Sequence, residues 1–99
     1  LPDQDSAQRL AQVLIAEHAA ACVNILAACT SVYRWQGRVE SASEVPLLIK
    51  TSRPAYARLQ ELIRKHHPYE LPEIIALPVS AGLPAYLAWV TNETQPEKE

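Results

Sequence analysis

Ninety-nine residues, 48% of them apolar, provide one domain with a modest core and little more. Nine Lys and Arg against eleven Asp and Glu leave a net charge of −2 with no basic run, which excludes a broad nucleic-acid surface. No apolar stretch approaches the roughly 18 residues of a membrane span, and no charged start leads into an apolar h-region, so no membrane partner and a cytoplasmic location are expected.

Taken in chain order, Asp5 and Gln8 have capping-box spacing, and Ala7, Leu10, Ala11, Leu14 and Ile15 then repeat with helical period to about Ala19. Ala21 to Leu26 is a short apolar run that holds Cys22, a thiol expected to behave as a small core hydrophobe. Cys29, seven positions on and beside a polar turn, is the more reactive thiol and the better soft-metal donor. The pair forms no C-x-x-C motif, so neither structural zinc nor a disulfide is favoured. Ser31 to Glu44 reads as a hairpin turning at Trp35-Gln36-Gly37-Arg38, where Gly37 supplies positive φ. Val45 to Thr51 is the next strand, with Pro46 tolerated near its start or on an edge.

Ser52 is placed to cap a second helix, with Pro54 in its first turn and Tyr56, Leu59, Leu62 and Ile63 as its apolar stripe. That helix must end before Pro68. Glu73 to Val79 reads as a further strand, and Gly82-Leu83-Pro84 leads into a short helix carrying Tyr86, Leu87, Trp89 and Val90. The domain is expected to occupy residues 1–91, with 92–99 a polar tail.

Helix, strand, strand, helix, strand is the latter part of a doubled βαβ pattern, which opens on a strand. Only Leu1-Pro2-Asp3-Gln4 precede the first cap and the chain contains no Met, so a strand upstream of Leu1 is expected. Between the second helix and the last strand, His66-His67-Pro68-Tyr69-Glu70-Leu71-Pro72-Glu73 gathers two imidazoles, a phenol and two carboxylates on a connector stiffened by two prolines. Such a segment orients a ligand, a proton or a partner chain; equally, it can just satisfy backbone groups at a helix end.

The sequence resembles the CutA family of divalent-cation tolerance proteins. The resemblance runs through Ala21-Cys22-Val23-Asn24-Ile25, the Ser31-Val32-Tyr33-Arg34-Trp35-Gln36-Gly37 hairpin, Ile49-Lys50-Thr51, His67-Pro68-Tyr69-Glu70, Pro72-Glu73-Ile74-Ile75 and Tyr86-Leu87-Ala88-Trp89. It implies an α+β, ferredoxin-like doubled βαβ subunit with an extended β-hairpin and a short C-terminal helix. Three subunits are expected in a homotrimer built like the PII signalling proteins. A neighbour would also cover the apolar residues of a ribbon too long for two helices to bury.

The family is associated with tolerance to divalent metals, copper above all, and copper prefers imidazole and thiol donors. His67, which falls in the matched motif, is the first candidate ligand, with Glu70 and Cys29 as helpers. Ala27-Ala28 replaces the family's frequent Pro-Gly, so that turn's usual shape is not carried over. Tyr33, Trp35, Lys50, Tyr69 and Glu73 are candidates to line an inter-subunit cleft, with Lys50 paired to Glu70 or Glu73. No catalytic turnover is expected, since there are only two glycines, no phosphate loop and no nucleophile constellation. A passive interaction scaffold and a small-molecule sensor at the cleft are the alternatives.

Overall fold

A computed structural model describes residues 1–96. Helix α1 spans Gln4–Ala16, and its N-cap is Asp3, whose carboxylate accepts the Ser6 N–H at 2.7 Å. The cap therefore lies two residues before the expected Asp5, because the Asp3 backbone is extended and Asp5 already lies within the first turn. The helix also stops at Ala16 rather than Ala19. His18 takes φ of 57°, and the Ala19 and Ala20 N–H groups both turn back to the Leu14 carbonyl. Left-handed His18 stands where glycine is more usual. Arg58 Nη2 donates to its carbonyl at 2.6 Å and so secures the turn.

Strand β1 (Cys22–Ile25) pairs antiparallel with β4 (Leu47–Lys50), placing Val23 opposite Ile49 and Ile25 opposite Leu47. Those four side chains pack against a core formed by Ala7, Leu10 and Leu14 of α1, Leu59 and Ile63 of the second helix, and Val45. Alternation leaves Asn24 and Leu48 exposed on the opposite face of this small sheet. Strands β2 (Cys29–Trp35) and β3 (Arg38–Glu44) form a separate antiparallel ribbon, in register from Cys29–Glu44 to Trp35–Arg38. Gln36 and Gly37 both have positive φ, 50° and 78°, as a type I′ turn demands. The ribbon makes the chain 46 Å long against 22 Å thick, and its radius of gyration, 14.8 Å, exceeds the ~13 Å of a compact 100-residue domain.

A 3₁₀ turn at Arg53–Ala55 leads into helix α2, Tyr56–His66. Ser52 stands at the N-cap without capping: its hydroxyl is hydrogen-bonded to Thr94 at 2.7 Å instead. His67 ends α2 in extended geometry, as the residue before Pro68 must. Glu73–Val79 is not a strand, although its apolar content suggested one. No neighbouring strand supplies its ladder among the described residues; Ile74 packs on the core while Ile75, Leu77 and Val79 are exposed.

Helix α3 spans Pro84–Glu93. It takes in the start of the expected tail, and Thr94, 3% exposed, is buried; the tail's last residues, 97–99, lie outside the described residues. The α3 C-terminus is held by Thr94 and by His18, whose Nδ1 donates to the Glu93 carbonyl at 3.1 Å. The described residues thus form an α+β fold of three α-helices and two two-stranded antiparallel sheets. At its other end, Leu1 and Val45 exchange main-chain hydrogen bonds of 3.1 and 2.6 Å, the pattern of an antiparallel pair.

Candidate functional site

The connector leaves α2 with each of its first N–H groups committed. His67 donates its backbone N–H to the Ile63 carbonyl at 2.8 Å, closing the helix. Pro68 has none to give. The Tyr69 N–H then donates to Nδ1 of His67 at 3.1 Å, and the two rings lie 4.8 Å apart, tilted by 58°. The imidazole therefore folds over its own connector.

Around these rings the base of the ribbon closes in. Burial, with a lesser effect of the Leu1 amino group, holds the His67 pKa below its ordinary value, and Glu44 at the end of β3 acts in the opposite sense. Burial also raises the Tyr69 phenol, helped by the charges of Glu44 and Tyr33. Of the residues expected to matter, His67, Tyr69 and Tyr33 thus share one neighbourhood. Cys29, exposed, is paired across the ribbon with Glu44. Glu44 itself was hidden in sequence inside a polar stretch, and only the strand register reveals where it stands.

The other candidates lie apart. Trp35 is at the ribbon tip opposite Arg38, and Lys50 lies on β4 opposite Cys22. Among the described residues no ion pair joins Lys50 to Glu70 or Glu73, so the expected polar pair is not formed within one chain. Glu70 and Tyr69 instead line an open groove of about 500 Å³ against α2, whose wall carries Arg58, Arg64 and Lys65, with Glu61 3.5 Å from Arg64. Tyr86 of α3 lies near Cys22 of β1, and burial first, then that thiol, raises its pKa.

For copper the donor chemistry is only partly suitable. An imidazole, an exposed thiol and carboxylates are all present, but no three His, Cys, Asp or Glu side chains converge among the described residues. Nδ1 of His67, moreover, already accepts a hydrogen bond. A metal bound by one chain alone therefore has no ready-made cage.

The sequence model described as CutA1 divalent ion tolerance protein matches residues 1–93. The chain belongs to this family. It is 44% identical over 94 residues to the divalent-cation tolerance protein CutA of Thermus thermophilus, covering 95% of this chain and 91% of that protein. The mouse protein CutA is 43% identical over 94 residues, which is 95% of this chain but only 53% of the mouse protein. Among solved structures, the family member from Thermus thermophilus superposes with a TM-score of 0.93 at 43% identity, covering 96% of this chain and 92% of that one. The PII-like protein CutA from Nostoc, solved in apo form, gives 0.86 at 39% identity, with 94% and 90% covered. At these identities the likeness extends to the sequence, so the connector and ribbon belong to a family architecture related to PII-like proteins.

Proposed function

We propose that the chain acts in divalent-cation tolerance as a non-catalytic, cytoplasmic homotrimer of PII-like architecture, with copper as the metal it meets. The observation that carries this reading is the ribbon. Val32 and Val39 are each 69% exposed on one face, and Tyr33 and Trp35 stand on the other, so both faces await cover that one chain does not supply. A neighbouring copy buries them and closes open strand edges. The subunit is read as ferredoxin-like, and the Leu1–Val45 exchange has the pattern of an antiparallel pair just ahead of β4.

In this reading Cys29 and Glu70 offer copper a thiolate and a carboxylate, His67, the expected first ligand, has its Nδ1 engaged by the Tyr69 N–H, and the trimer brings together donors that one protomer holds apart. Tyr33, Trp35, Lys50, Tyr69 and Glu73 then border the clefts between protomers. Light scattering coupled to size exclusion tests the assembly: a mass of three chains is expected, and a well-folded monomer at micromolar concentration rejects it. Calorimetric titration of the metal-free trimer with copper(II) tests the metal; heats no different from buffer reject that half and leave a scaffold.

The groove beside α2 favours one rival, a sensor of small molecules. Arg58, Arg64 and Lys65 outnumber Glu61 and Glu70 around about 500 Å³, and with the Tyr69 phenol they suit a compact ligand carrying an anionic group. A thermal-shift screen of metabolites, with and without copper, separates the two readings.

A further inference from the structure

We propose that His67 is a positioning residue of the connector, fixed as the Nε2–H tautomer, and that copper taken up by the protein is held by other donors. The first half stands on geometry alone; the second rests on the copper reading above. Only an unprotonated nitrogen accepts a hydrogen bond, so Nδ1, which accepts the Tyr69 N–H at 3.1 Å, carries no proton. In the neutral ring the proton is then on Nε2.

A metal needs a bare lone pair. At Nδ1 it would have to displace the Tyr69 N–H. At Nε2 the ring would first have to reverse its tautomer, leaving Nδ1–H and the Tyr69 N–H as two donors facing each other. Metal-binding histidines show the opposite polarity: their second nitrogen donates its proton to a carbonyl or carboxylate, which frees the first. Here the second nitrogen receives a donor instead.

The surroundings favour the same assignment. Turning the ring away would break its 4.8 Å contact with Tyr69, and burial favours its neutral form. The chain also explains why an acceptor is wanted at this point. His67 spends its own N–H on α2 and Pro68 has none, so Tyr69 carries the first N–H past the helix end, and the imidazole is what receives it. The ring sets the direction in which Tyr69 and Glu70 leave the helix.

Two substitutions separate position from ligation. Asparagine places its amide oxygen near the Nδ1 position, whereas glutamine reaches toward Nε2. Long-range ¹⁵N–¹H spectra of the full chain at roughly pH 8, above the imidazole range, should show the Nε2–H tautomer; an Nδ1–H signature overturns the proposal. His67→Asn should melt near the parent temperature and His67→Gln below it. Equal melting of the two variants overturns the positional role. In copper(II) calorimetry both should keep the parent affinity. A fall of about tenfold or more in both, with the fold intact, is the scale of damage at a metal site and overturns the second half. If the parent protein takes up no copper, the copper reading falls, and the tautomer and the Asn–Gln contrast still decide the role of His67.

Discussion

Leu14 of α1, with no exposed surface, lies in the core cluster it shares with the α2 residues Leu59 and Ile63. Burial of such a leucine stabilises by about 1.5–3 kcal/mol. Leu14→Ala adds a cavity and should cost about 2–5 kcal/mol in urea unfolding. A second residue-scale expectation concerns acid. Because His67 has a folded pKa below its unfolded value near 6.5, the unfolded chain binds its proton first, mainly because burial disfavours the charged ring. The contribution is complete above about pH 6.5 and is lost as pH falls through the folded pKa. Unfolding midpoints from pH 8 to 5 should decline less in His67→Asn than in the parent; parallel profiles would show that another group governs the decline.

Among elements, the ribbon is the most exacting. Its turn holds a glutamine at φ of 50°, a conformation that costs most residues about 1–2 kcal/mol and asparagine less. Gln36→Asn should therefore stabilise the ribbon and Gly37→Ala, at φ of 78°, should weaken it although open space surrounds the site. Amide hydrogen exchange across residues 29–44 checks both. This hairpin was legible in sequence because Gly37 lies between two runs of strand-forming residues. The Glu73–Val79 run was not: apolar content shows that a segment wants burial, whereas ladder bonds depend on a partner placed elsewhere in space. Local spelling also misplaced the α1 cap, since Asp3 and Asp5 are equivalent as letters and differ only in backbone angle. At the site, the motif around His67 was readable and its Nδ1 acceptor role was not. Glu44 was out of reach altogether, because its approach to Tyr69 depends on pairing across the ribbon's full length.

At the scale of the whole molecule, the chain divides into a core packed on one side of the β1–β4 sheet and two elements that stand away from it, the ribbon and α3. Trp35→Ala should weaken the proposed trimer and raise the concentration needed to hold three-chain mass, as expected where folding and association are linked. An unchanged mass at every concentration would place the ring outside any interface. Trp35 and Trp89, both part-exposed, belong to those two outlying elements, and no tryptophan lies in the core. Tryptophan emission is therefore silent about the core, against which the ring of Tyr56 packs instead. Tryptophan fluorescence during dilution or denaturation would follow the environment of the ribbon and α3, and a midpoint taken from it would date the parting of neighbours before it dated the melting around Leu14; far-ultraviolet dichroism, to which α1 and α2 contribute more helix than α3, would keep the other clock.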